Sequence, residues 1–259
     1  MEIKIQGFYG STMLYMQFVR GGTFLMGSPL AEPERGRDEG PQHEVSIPAF
    51  SIGKYAVTNA QWRAMASLTP VNFKLDPDPS FFKAANCPVQ NISWYEAMEF
   101  CARLSRLTDK LYTLPSEAQW EYACRAGTTT AFHFGGSIHT EQVNCVGKAP
   151  EWCKNKGQIK SRERPLIAGC FPPNDFGLYD MHGNVWEWCL DYYHDNYEGV
   201  PTDGSAWVDI NAEQDKPRVL RGGSWLNLSQ YCRSAFRGCS KPSTNNYSGD
   251  IGFRVVTEE

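Results

Sequence analysis

The sequence predicts an α+β fold, and three observations carry that prediction. Short alternating runs fill the first fifty residues, three helix-start signatures follow in the middle, and strand-like apolar runs return near the C-terminus. The first group comprises Gln17 to Val19, Gly22 to Met26, and His43 to Ile47 leading to Phe50. Their alternation and turn residues suggest hairpins, with the charged, Pro/Gly-rich SPLAEPERGRDEGPQHEV between them as a surface loop. Each helix opens on a capping box, in which a hydroxyl and a reaching Gln or Glu satisfy orphan amides of the first turn. The three are Thr58-Asn59-Ala60-Gln61, Ser93-Trp94-Tyr95-Glu96 and Ser116-Glu117-Ala118-Gln119. The second continues with Ala97, Phe100, Cys101 and Leu104 on one face, and the third stops at Gly127, a favourable C′ residue. From Thr128 to Asp175 periodicity fades and long ordered loops are expected. After GLYDMHGNVWEWCLDYY come PRVLRGGSW and IGFRVV, read as the strands that close the sheet.

No linker, charge block or repeat divides the 259 residues, so a single domain over 1–259 is expected. The net charge of −4 leaves no electrostatic footprint for nucleic acid, and no apolar run approaches a membrane span. The N-terminus lacks a basic-then-apolar signal layout, which predicts a cytoplasmic protein. Nine irregularly spaced cysteines read mostly as small buried apolar residues; an oxidising compartment would allow one or two disulfides. The five histidines form no HxxxH or HxH ligand pair and read as isolated surface or supporting groups. No GxSxG, CxxC or phosphate-loop pattern occurs. Two sequons, Asn91-Ile92-Ser93 and Asn227-Leu228-Ser229, carry little weight without a secretion signal.

Seven ordered segments (VRGGTFLMGS, YAVTNAQW, PVQNISWYEAMEFC, YTLPSEAQWEYACRAG, GLYDMHGNVWEW, RVLRGGSW and GFRVV) resemble the formylglycine-generating-enzyme, or sulfatase-modifying factor, family over nearly the whole chain. The resemblance implies a C-type-lectin-like fold with a twisted antiparallel sheet, flanking helices and a loop-rich half. It also implies a copper-dependent oxidase of a substrate cysteine, its metal held by two cysteines after RGGS-aromatic. Here the second of those positions is Cys232 and the first is Asn227, a hard, weak donor that cannot replace a thiolate on Cu(I). No copper is therefore expected. Cys239 lies seven residues beyond Cys232 rather than five before it, a poor substitute.

The pattern from Arg218 to Val256 resembles a further branch, the variable proteins of diversity-generating retroelements, which use the fold for diversified ligand binding. That resemblance implies that 218–256 is a variable ligand-binding region, with Leu226, Asn227, Leu228, Tyr231, Phe236, Gly238, Cys239, Ser240, Asn245, Asn246 and Tyr247 as ligand-binding candidates. Aromatic and small polar residues interspersed in an irregular stretch suit such a surface, because rings add contact area at low entropic cost. Packing of the loop-rich half by Leu226, Leu228 and Phe236 is the competing reading. The expected partner is a protein or other macromolecule. A pseudo-enzyme that regulates a true family member is a third reading.

Asp180, Gly183, Val185 and Glu187 match positions that hold calcium in the family, and two carboxylates with loop carbonyls are hard-cation chemistry. Structural calcium is expected there, with Glu187 bonded to loop amides as the alternative. Arg221, Arg233, Arg237 and Arg254 either read an acidic ligand or brace loops; for Arg221 and Arg254 the structural role is favoured.

Overall fold

A computed structural model describes residues 1–138, 142–146, 162–209, 211–213, 215–244 and 249–258. Strands β1 (Glu2–Gly7) and β2 (Gly10–Val19) form a hairpin turned by Phe8 and Tyr9. β1 alternates exposed and buried residues, with Ile3 and Ile5 facing the core, as a sheet with one wet face requires. β2 also pairs with β5 (Phe50–Gly53), and β5 pairs with the C-terminal β10 (Val256–Glu258), giving an antiparallel sheet ordered β1-β2-β5-β10. β3 (Gly22–Met26) and β4 (His43–Ile47) form a separate ribbon with the bounds read from the sequence. β1 was not among the strands foreseen.

All three helices begin where their capping boxes place them. Thr58, Ser93 and Ser116 cap α1 (Asn59–Ala66), α2 (Trp94–Thr108) and α3 (Glu117–Arg125), and each box is reciprocal. The foreseen face of α2 is buried: Ala97, Phe100, Cys101 and Leu104 pack with Trp62, Phe253 and Leu14. α3 ends on two successive left-handed residues, Ala126 and Gly127, where glycine alone was expected.

The second sheet is ordered β8-β7-β6-β9, from β6 (Trp186–Tyr192), β7 (Arg218–Arg221), β8 (Gly238–Ser240) and β9 (Ile251–Gly252), with only the β6–β9 pair parallel. Its interior strands lie between two apolar clusters, and alternation divides their side chains. Trp186, Trp188 and Leu220 join the cluster under α1 and α2, while Cys189 and Val219 join the one under α3. IGFRVV is not one strand. Ile251–Gly252 pairs with β6 and Val256–Glu258 with β5, so the segment steps between the two sheets with Phe253 and Val255 in the core. Among the described residues from Thr128 to Asp175 no helix or strand element occurs, as foreseen. Among the described residues no helix is long and apolar enough to cross a membrane.

Candidate functional site

Four arginines fasten the C-terminal segment, and each meets a buried carboxylate. β7 places Arg221 so that it donates to the carbonyls of Ser234 (2.8 Å), Ala235 (3.0 Å) and Phe236 (2.8 Å), and pairs with Glu121. Arg233 donates to Glu32 at 2.6 Å, to Glu39, and to the Glu34 carbonyl at 2.8 Å. Arg237 grips Glu117 through both oxygens, at 2.7 and 2.9 Å, and lies over Tyr197. Arg254 bonds both Glu187 oxygens, at 2.6 and 2.7 Å. All four are buried, which removes the reading in which Arg233 and Arg237 await an acidic ligand. Their counter-charges were not foreseen as such. Glu117 and Glu121 stand at i and i+4 on the buried face of α3, a spacing that puts both carboxylates on one side.

Between those anchors runs the segment predicted to carry function. Asn227 Oδ1 accepts from the Ser224 amide at 3.0 Å and lies 2.6 Å from Ser224 Oγ, which is 2.8 Å from Asp250 Oδ2. The carboxamide thus closes the turn after Gly222-Gly223, where both glycines adopt positive φ. A Cβ on Gly223 would stand 2.6 Å from Cys232 Sγ, so this turn is held tightly against the cysteine. Cys232 ends a 3₁₀ turn (Ser229–Cys232) and is fully buried. Its thiol contacts that of Cys145, and this neighbour together with burial pushes it well above its ordinary pKa.

The ligand-binding candidates are not equally available. Leu226 is 41% exposed, and Cys239 is exposed on β8, an edge strand. Asn227, Leu228 and Ser240 are half-buried. Tyr231 and Phe236 meet edge to face at 4.9 Å and pack against the apolar cluster under α1 and α2. A Cβ on Gly238 would come within 3.1 Å of the Trp186 ring. Asn245, Asn246 and Tyr247 lie outside the described residues.

Of the two carboxylates among the four calcium candidates, one is committed to an ion pair and the other keeps a free oxygen. Glu187 spends both oxygens on Arg254 and accepts from Trp120 Nε1 at 2.7 Å. Asp180, left-handed at φ 55°, accepts from the Gly169 amide at 2.7 Å, and its other oxygen has no hydrogen-bond partner. Burial pushes its carboxyl up to about 6. Gly183 donates its amide to the Gly222 carbonyl, and Val185 is buried. Among the described residues no group of three or more His, Cys, Asp or Glu is placed to hold a metal.

Two histidines expected to be isolated are instead stacked in the interior. His133 and His182 lie 5.0 Å apart, and His182 Nε2 accepts from the His133 amide at 3.1 Å. That leaves Nδ1–H of His182 to donate to the Cys232 carbonyl at 2.7 Å. Burial lowers the His182 imidazole to about 3 and the His133 imidazole to about 4. Cys124 adjoins this pair, 3.7 Å from His182 Nε2 and from Ser234 Oγ, and burial pushes its thiol up to about 12. Such thiols are poor nucleophiles, because the thiolate is the reactive form. The eight described cysteines are free thiols; Cys153 lies outside the described residues.

Comparison with known proteins matches residues 10–259 to the sulfatase-modifying factor enzyme 1-like domain. A formylglycine-generating enzyme of Thermomonospora curvata is 28% identical, covering 94% of this chain and 93% of the enzyme. The serine/threonine-protein kinase pkn1 of Chlamydia caviae is 31% identical over 93% of this chain, which spans only 37% of that kinase's length. Among solved structures, PvdO from Pseudomonas aeruginosa superposes with a TM-score of 0.80 at 31% identity, covering 100% of this chain and 98% of PvdO. Treponema denticola variable protein 1 shares the fold, with a TM-score of 0.72 at 23% identity, covering 100% of this chain and 99% of that one. The short curled antiparallel sheets, few helices and extended loops are those of the C-type-lectin-like α+β architecture. With 250 consecutive positions matched by one domain model, the chain belongs to the sulfatase-modifying factor enzyme 1-like family.

Proposed function

We propose that this chain is a non-catalytic ligand-binding member of its family, presenting the loop and edge around Leu226, Leu228 and Cys239 to a macromolecular partner. The supporting observation is at residue 227. A carboxamide stands where the resemblance calls for a thiolate, and it is spent on Ser224 as a turn brace. Copper in this fold needs two soft donors, and residue 227 supplies none. The buried arginines add support, since they make the segment a rigid frame that displays a few side chains. A diversified surface belongs to the same proposal.

A second reading, the copper-dependent oxidase, rests on Cys145, whose thiol lies against Cys232 and could supply the donor missing at 227. One experiment separates the two. Reduced protein is titrated with Cu(I) against a chromophoric chelator and then incubated aerobically with a cysteine-containing peptide. The binding proposal expects no copper retained in competition and no peptide aldehyde. Stoichiometric copper lost in Cys145→Ala, with peptide oxidation, would establish the oxidase reading instead.

A further inference from the structure

Beneath the turn closed by Asn227, two chain segments distant in sequence are held together. Val146 donates its amide to the Asn227 carbonyl at 2.7 Å, an isolated bridge that sets Val146 beside Leu228. One residue earlier, Cys145 turns inward. On the other side, the 3₁₀ turn Ser229–Cys232 brings Cys232 back beneath the bridge. Both cysteines are fully buried in one small apolar cluster with Ala131, Phe132, Ile138 and Val143. The Ser234 amide bonds the Ala131 carbonyl at 2.7 Å, which fixes the chain just after Cys232 against the wall of the same cluster. The two thiols are thus neighbours within one apolar cluster, each tethered through its own chain segment.

We propose that Cys145 and Cys232 form a disulfide that locks residues 226–232 onto residues 143–146. In the step, the two S–H bonds break and one S–S bond forms. The two electrons and two protons pass to a small-molecule disulfide of the glutathione class, which leaves as two thiols. Exchange starts from a thiolate. Burial suppresses that form at Cys232 in the closed state, so the bond forms during folding or when the 226–232 turn opens, and closure then shields it from reductant. The bond shortens the freedom of the unfolded chain and of the open turn, which favours the closed face. Only this last consequence rests on the binding proposal; the cross-link itself does not.

The test is mass mapping of the whole chain refolded in glutathione disulfide. After free thiols are alkylated, the protein is digested without reduction. The expected product is a linked peptide pair containing Cys145 and Cys232, absent when dithiothreitol is present throughout. A higher melting temperature for the oxidised than for the reduced chain is expected alongside it. Cys145→Ser and Cys232→Ser each abolish both effects, whereas Cys239→Ser keeps them. Should either serine variant fail to fold, the wild-type map decides alone. Full alkylation of both cysteines in oxidised protein would overturn the proposal, as would a link joining either one to Cys124, Cys153 or any other cysteine. Failure of the binding proposal, seen as copper uptake and peptide oxidation by reduced protein, would leave the mapped link unaffected.

Discussion

Arg233 gives the sharpest test of how the C-terminal segment is held. Its guanidinium and the Glu39 carboxylate are both fully buried, and Glu32 is nearly so. Burial pushes the Glu39 carboxyl up, but the hydrogen bonds and charge of Arg233 outweigh it and hold the group below its ordinary value. Arg233→Met keeps most of the volume and removes the charge, leaving Glu39 with only the Gly36 amide and Ser28 hydroxyl. Breaking a buried pair by removing one partner costs about 3–5 kcal/mol, because the surviving charge stays uncompensated. Glu39→Gln should cost a similar amount for the opposite reason. The double variant removes both charges and should cost clearly less than the sum, with a coupling of about 2 kcal/mol or more. The assay is urea unfolding followed by tryptophan fluorescence, at pH 7 and again near pH 4. Stability from a depressed carboxylate is present above its unfolded value of about 4.5 and is lost as pH falls through its folded value, so the cost of Arg233→Met should shrink at the lower pH. A loss below about 1 kcal/mol, or strictly additive single variants, would refute the claim that this ion pair braces the segment.

Three further outcomes follow from the same geometry. Asn227→Ala removes the acceptor for Ser224 and should cost about 1–2 kcal/mol by chemical denaturation; a neutral result would mean the turn does not need its brace. His182, held near 3 in the fold, refuses a proton that the unfolded chain accepts below about 6.5, so its contribution falls as pH falls. Wild type should therefore lose about 2 kcal/mol more than His182→Asn between pH 7 and pH 5, and equal losses would contradict the buried neutral imidazole. Burial and the Glu117 charge raise Asp191 to about 7, which opposes this trend, since its contribution is full below its unfolded value and lost as pH rises through 7; the paired comparison cancels it. Leu226→Ala and Cys239→Ser, both at exposed side chains, should each stay within about 0.5 kcal/mol of wild type in the same unfolding assay, whereas a larger loss would place them in the packing.

Much of the architecture is local and was legible for that reason. Thr58, Ser93 and Ser116 start their helices because a hydroxyl and a Gln or Glu three residues on satisfy nearby amides, whatever the rest of the chain does. β3 and β4 show their strand period in their own residues. By itself the sequence also determined that residue 227 carries an amide and not a thiol, and that four arginines crowd the last forty residues. What it could not determine is which side chain meets which. Arg233 finds Glu39, and Arg254 finds Glu187, across separations that no local pattern encodes. That pairing makes Glu187 the counter-ion of Arg254. Likewise Ile251–Gly252 and Val256–Glu258 belong to different sheets, because β6 and β5 offer unpaired edges on either side of Arg254. Cys145 and Cys232 meet only because a bridge at Val146 lays a loop beside the 226–232 turn. Capping and periodicity act over a few residues, whereas burial of charge and pairing of thiols are decided by what the closed chain leaves beside them.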